Sequence, residues 1–134
     1  MLDYSNKENA TDKKQYTVLV VDDNPDIVKL ISAYLRGGIY NIQAAYDGKE
    51  ALEMVAKHQP DLMLLDIMMP NLDGFGVAQK LKDDNINLPI IVLTAKDLDD
   101  NEIQLLQKLG VKQTITKDVV NRNLLLESIQ KHIK

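Results

Sequence analysis

The chain has 134 residues, with 20 Asp and Glu against 16 Lys and Arg, a formal net charge of −4, and no cysteine or tryptophan. Leu, Ile, Val and Phe fill 42 of the 134 positions, far above the level of roughly 20% that accompanies disorder, so one domain with an aliphatic core is expected. The missing cysteines exclude a disulfide framework, a Cys-ligated zinc and a thiol nucleophile, and the mild acidity argues against general affinity for nucleic acid or an anionic membrane.

Met1 to Tyr16 is polar and charged and lacks an apolar run. It reads as a loose arm or linker (1–16) ahead of a domain at 17–134, not as a signal peptide. Val18-Leu19-Val20-Val21 is a continuous apolar run, as expected of a strand buried on both faces. Asn24-Pro25 then supplies a helix cap and a first-turn proline. Ile27, Val28, Leu30, Ile31, Tyr34 and Leu35 follow at helical spacing, and Gly37-Gly38 stops the helix. Ile42 to Ala45 is a weaker strand, and Lys49 to Lys57 is a helix with Ala51, Leu52, Val55 and Ala56 on one face. Leu62 to Leu65 is the second strongly buried strand. The turn Asn71-Leu72-Asp73-Gly74 leads into a helix marked by Phe75, Val77, Ala78 and Leu81.

Ile90 to Leu93 is the next buried strand, with Pro89 at its tolerated first position. Ile103, Leu105, Leu106 and Leu109 mark a helix that Gly110 closes, and the cluster Asp97, Asp99 and Asp100 reads as its cap. Val111 to Thr116 is a more polar strand suited to a sheet edge, and Leu124 to Ile133 is the closing helix. No segment has the 18 or so apolar residues of a membrane span. Strict strand–helix alternation of this kind predicts a mostly parallel sheet with helices on both faces.

In such a sheet ligands bind beyond the carboxyl ends of the strands. The buried strands end at Asp22-Asp23, at Asp66, at Thr94 and at Thr116-Lys117. Each residue alone is ordinary: a capping aspartate, a strand threonine, a solvated lysine. Together they fall at the same structural point of four strands. Three close carboxylates repel unless a cation joins them, and hard oxygen ligands suit Mg²⁺. A carboxylate at Asp66 can act as a nucleophile through an acyl phosphate. A cation and a lysine supply the charge neutralisation that phosphoryl transfer needs.

These motifs resemble the receiver domain of two-component response regulators and hybrid histidine kinases. The resemblance runs from Thr17 to Ile133. It rests on Val18-Leu19-Val20-Val21-Asp22-Asp23-Asn24-Pro25, Asp61-Leu62-Met63-Leu64-Leu65-Asp66-Ile67-Met68-Met69-Pro70, Leu72-Asp73-Gly74, Pro89-Ile90-Ile91-Val92-Leu93-Thr94-Ala95 and Thr116-Lys117. It implies an α/β fold of (βα)5 type, a doubly wound, flavodoxin-like, five-stranded parallel sheet in the order 2-1-3-4-5. It implies that Asp66 takes a phosphoryl group from a phosphohistidine of a sensor histidine kinase or phosphotransfer protein. Asp23 would hold Mg²⁺ directly and Asp22 partly through water, with Asp66 and the Met68 backbone carbonyl completing the metal site. Thr94 and Lys117 would each contact a phosphoryl oxygen. The domain would catalyse its own phosphorylation and slow dephosphorylation, in the cytoplasm, and signal to a downstream output partner or domain without direct nucleic-acid contact or membrane insertion.

Two positions depart from the family's usual pattern, Asp118 and Thr114, and two others, Met68 and Lys96, stand where the family tunes phosphoryl lifetime. Asp118 stands where proline follows the lysine, so the Lys117–Asp118 bond is expected either trans with a rearranged loop or cis and strained. Thr114 stands where the family places a switch aromatic, so the output signal must travel differently. Met68 offers no good hydrogen-bonding group to orient an attacking water, and Lys96 is expected to reach the phosphoryl group electrostatically; slow self-hydrolysis follows. The tail from Leu93 to Leu98 is more similar to receivers of hybrid kinases. His58 and His132 read as surface residues without metal-ligand spacing.

Two rivals differ in class. A dehalogenase-type aspartyl-phosphate hydrolase requires a second Asp at position 68, which is Met. A pseudo-receiver, a protein-interaction module that is not phosphorylated, is the alternative kept open by the Lys117–Asp118 region. At this length the chain has no room for an output domain beside the receiver, which fits a stand-alone regulator, a relay shuttle or a piece of a hybrid kinase.

Overall fold

The computed structural model describes residues 15–133. The expected arm therefore lies, up to position 14, outside the described residues. Five strands, β1 (Tyr16–Val21), β2 (Tyr40–Ala45), β3 (Leu62–Leu65), β4 (Ile90–Thr94) and β5 (Val111–Thr116), alternate with five helices. The helices are α1 (Pro25–Leu35), α2 (Gly48–His58), α3 (Gly74–Asp83), α4 (Asp100–Lys108) and α5 (Arg122–His132). The sheet is parallel in the order β2-β1-β3-β4-β5, as the sequence predicts, with β5 at an edge.

Side-chain alternation along each strand divides the core in two. Val18, Val20, Leu62, Leu64, Ile91 and Leu93 meet Val28, Ile31 and Leu35 of α1 and Leu125 and Ile129 of α5. Leu19, Val21, Met63, Leu65 and Val92 meet Val55 of α2, Val77 and Leu81 of α3 and Leu106 of α4. Both faces of β1, β3 and β4 are covered, which is why their sequences are unbroken apolar runs.

Every described helix starts on an Asn or Asp whose side chain accepts a first-turn N–H: Asn24, Asp47, Asp73, Asp99 and Asn121. Each such cap stabilises by about 1 kcal/mol. The expected cap of α4 is Asp99, in a reciprocal capping box with Glu102.

The differences from the sequence reading sit at element ends. α5 begins at Arg122, two residues before the first apolar position, because its polar first turn is held by Asn121. β2 starts at Tyr40, whose ring lies 6.4 Å from that of Tyr16 on β1. α1 ends at Leu35, and Gly37 takes the left-handed turn with φ of +83°. No peptide bond among the described residues is cis, so Lys117–Asp118 takes the trans alternative; the cis form would cost roughly 2.5–4 kcal/mol before a non-proline residue. His58 is exposed as expected. His132 is not a plain surface residue: it is half-buried, its Nε2 lies 3.1 Å from Gln113 Oε1, and burial, then Lys131 and Lys112, push its pKa down. No described helix is long and apolar enough to cross a membrane.

Candidate functional site at the carboxyl ends of the strands

Hydrogen bonds between neighbouring strand ends hold the rim in register. The Asp66 N–H donates to Val21 O (2.9 Å), which places the end of β3 beside the end of β1. The Lys117 N–H donates to Thr94 O (2.8 Å), which fixes the end of β5 beside β4. Gly74 allows α3 to start against the same loop. A Cβ there would lie 2.6 Å from Asp66 O and 2.8 Å from Ile67 Cα, and the Gly74 N–H donates to Ile67 O (3.0 Å).

On this frame a carboxylate oxygen of each of Asp22, Asp23 and Asp66 lies within 4.8 Å of the other two. Asp22 and Asp66 are buried, at 2% and 4% exposure, while Asp23 is exposed. Lys117 reaches from β5 across the end of β4 to both buried acids, 2.7 Å from Asp22 Oδ2 and 3.3 Å from Asp66 Oδ2. The remaining oxygens are also bound: Asp22 Oδ1 accepts the Asn24 N–H (2.9 Å) and Asp66 Oδ1 accepts the Met68 N–H (3.2 Å). The Thr94 side chain is buried at the same rim, its Oγ1 accepting the Lys96 N–H (3.2 Å).

The electrostatics follow from three carboxylates facing one ammonium. Burial raises the pKa of Asp22, and the negative charge of Asp66 adds to it, against the opposing Lys117 and the Asn24 N–H. Burial alone would lower the pKa of Lys117, but the hydrogen bond and charge of Asp22, followed by Asp66, outweigh it and raise the value. The lysine stays charged while the acids remain under-compensated, an arrangement that favours a further cation. Three hard oxygen donors in one cluster match the chemistry of Mg²⁺.

All six residues singled out from the sequence, Asp22, Asp23, Asp66, Met68, Thr94 and Lys117, thus lie on one rim. Lys96 has a partner that the sequence did not suggest. Its ammonium is held at 2.6 Å by Glu102, six residues further on, because α4 begins at Asp100 and its first turn brings that carboxylate back over the loop. Glu102 and Gly74 are the positions the sequence did not reveal as part of the rim. Thr114 lies opposite Val92 beside a cavity of about 40 Å³ lined by Ile103, Leu106 and Gln107, so no ring fills that place.

The family model described as the response regulator receiver domain matches residues 18–130. The response regulator PleD of Caulobacter vibrioides is 42% identical over 104 residues, 76% of this chain and 23% of that protein. The alkaline phosphatase synthesis transcriptional regulatory protein PhoP of Bacillus subtilis is 40% identical over 100 residues, 75% of this chain and 41% of that protein. The chain therefore spans less than half the length of these curated relatives. Among solved structures, the Francisella response regulator 1452 receiver domain superposes with a TM-score of 0.79 at 33% identity, covering 87% of this chain and 95% of that one. Vibrio cholerae CheY4 superposes with a TM-score of 0.81 at 27% identity, covering 89% and 99%. A match that takes in most of β1 and reaches into the last helix, together with relatives at 40% identity and above, leaves one assignment: this chain belongs to the response regulator receiver domain family, the phosphoacceptor modules of two-component signalling.

Proposed function

We propose that Asp66 is the phosphoacceptor and that it takes its phosphoryl group from a phosphohistidine of a sensor histidine kinase or phosphotransfer protein. The observation that carries this reading is the Lys117 ammonium lying between two buried carboxylates, 2.7 Å from Asp22 and 3.3 Å from Asp66, with Asp23 completing the cluster. An Asp66 carboxylate oxygen forms the new O–P bond as the P–N bond breaks, and the electron pair of that bond leaves with the imidazole nitrogen. Lys117 offsets the charge gathering on the phosphoryl oxygens, and the Thr94 hydroxyl donates to one of them. The Met68 N–H orients the acceptor carboxylate through its bond to Oδ1.

The donor set fits Mg²⁺, which Asp22, Asp23 and Asp66, with the Met68 backbone carbonyl, would hold. Bound there, Mg²⁺ supplies charge neutralisation for the acceptor and the incoming group. The same proposal includes a cytoplasmic location, a polar arm or linker at 1–16 ahead of a receiver at 17–134, and an output carried by a downstream partner or domain.

The test is intact mass after incubation with acetyl phosphate, with and without Mg²⁺. A gain of one HPO₃ that requires Mg²⁺ and disappears in Asp66→Asn is expected. If the parent protein gains nothing from acetyl phosphate or from a phosphohistidine donor, the pseudo-receiver reading replaces this one.

A further inference from the structure

We propose that the rim at the amino ends of β3, β4 and β5, opposite the end that carries Asp66, is a docking surface for an acidic peptide segment of a protein partner, one that also carries aliphatic side chains.

Two cavities open on this rim, one on each side of the loop between α3 and β4. The first, of about 300 Å³, lies between the ends of α3 and α4. The second, of about 310 Å³, lies between the end of α2 and the same loop. Ile86, Asn87 and Leu88 line both, so the loop is a ridge between two hollows. Apolar groups dominate each hollow: Leu81, Ile90 and Leu109 line the first, and Val55, Ala56 and Pro60 the second.

The ridge is held in place by the end of α3. The Ile86 N–H donates to Leu81 O (2.9 Å) and the Asn85 N–H to Lys82 O (3.0 Å), with Asn85 left-handed at a φ of +58°. These are the two bonds of a Schellman turn, in which the residue at the Ile86 position commonly packs back on its own helix. Ile86 is nevertheless 39% exposed. An aliphatic side chain fixed between two apolar hollows is surface that a partner can bury. A ridge with a hollow on either side suits a chain that crosses it.

Charge identifies the chemistry of that chain. Lys82 and Lys112 line the first cavity. The Lys82 ammonium donates to Lys108 O (2.9 Å), which fixes it beside the cavity and leaves two of its three N–H groups to donate. Lys112 is placed by an irregularity in β5. Val111 pairs with Ile90 and Gln113 with Ile91, so Lys112 is an extra residue in the edge strand, and such a bulge re-aims a side chain. The residues beside it bear this out. Val111 packs in the core under α2, α3 and α4, whereas Gln113 Nε2 donates to Ser128 Oγ of α5 (3.0 Å). Neither ammonium has a carboxylate partner among the described residues. The acids nearest in sequence to Lys82 are taken, Asp83 by Gln79 (2.8 Å) and Asp84 by Lys80 (3.4 Å). The lining of the second cavity carries no charge. The surface therefore complements a segment that sets aliphatic side chains in the hollows and carboxylates against the two lysines. Nothing in it depends on Asp66, so this docking and the receiver reading can fail separately.

The probe is acetyl-Leu-Ser-Leu-Asp-Asp-amide, titrated into the full chain and followed by backbone amide chemical shifts. Shifts are expected at 86–88 and at Lys82 and Lys112. A peptide with Lys-Lys in place of Asp-Asp should bind about tenfold more weakly or worse. Lys82→Gln and Lys112→Gln should each weaken the acidic peptide about two- to fivefold, while Lys112→Arg, which keeps the charge, should not. Ile86→Glu, at an exposed position, should weaken it about tenfold, and added salt should weaken it further. Thermal midpoints equal to that of the parent chain show that the variants keep the fold. The proposal is overturned if the amides at 86–88 do not shift, if the Lys-Lys peptide binds as well, or if neither Lys→Gln variant weakens binding. Octanoate that shifts the same amides through the two lysines, beside a peptide that does not, would make this a site for small carboxylates and overturn it. Shifts there that grow with protein concentration alone would make it a contact between copies of the chain and overturn it equally.

Discussion

The two halves of the rim are built differently. At the ends of β1 and β3, Asp22, Asp23 and Asp66 follow the receiver pattern, and the two buried acids have both oxygens bound by Lys117 and by main-chain N–H groups. At the ends of β4 and β5, the residues around the shared Thr94 and Lys117 depart from that pattern. Thr114 replaces a ring, Asp118 follows the lysine through a trans bond, and Lys96 is clasped by Glu102. On the proposed function the first half supplies the acceptor and the acids beside it, whose chemistry leaves little latitude. On the same reading Thr94 and Lys117 meet the phosphoryl group from the second half, and around them many arrangements serve as long as two states differ.

The comparison is broken most severely at Lys117, the residue that joins the halves. Lys117→Met should lower phosphorylation by acetyl phosphate about a hundredfold, the scale of losing one group that stabilises transition-state charge. It should also tighten Mg²⁺ binding, because Asp22 and Asp66 lose a competing cation. A titration that shows weaker Mg²⁺ binding instead would mean that the lysine organises the acids and does not compete for them.

Gly74→Ala probes the scaffold of the first half. The new Cβ would meet the Asp66 carbonyl oxygen and Ile67 Cα, both backbone atoms, so the loop or the helix must shift. The expected loss is about 1–3 kcal/mol, read from the urea midpoint at unchanged slope. No loss would show that the loop accommodates a methyl group and that the close approach does not fix it.

Met68→Asn has the smallest expected effect and sharpens the contrast. The Met68 side chain is 58% exposed and offers no group to orient water at the acyl phosphate. An amide there should shorten the lifetime of the phosphorylated form several-fold, a change visible in the decay of the adduct. An unchanged lifetime would remove Met68 as the cause of slow hydrolysis.

The sequence exposed the first half almost completely. Strands buried on both faces appear as apolar runs with clear ends, so Asp22, Asp66 and Thr94 could be placed at one level before any coordinates, and Lys117 joined them at the end of the more polar strand that completes the alternation. Element starts were harder to see where polar residues carry them: Arg122 and Asn123 open α5 because Asn121 caps it, not because they are apolar. Glu102 was out of reach for a different reason. Its grip on Lys96 spans six residues across a loop and a helix start, and depends on the direction in which α4 leaves the sheet. Local periodicity does not encode that direction. The isomer of Lys117–Asp118 was limited by the sequence to two alternatives, and the structure selects the one with the lower intrinsic cost.

The most direct measurement of the central claim is chemical trapping of the phosphorylated protein with borohydride, followed by peptide sequencing. Borohydride reduces an acyl phosphate to an alcohol and so marks the acid that carried it. The account predicts the mark at position 66 alone, and only when Mg²⁺ was present during phosphorylation. A mark at Asp22 or Asp23, or a stable adduct that borohydride does not reduce, would contradict it.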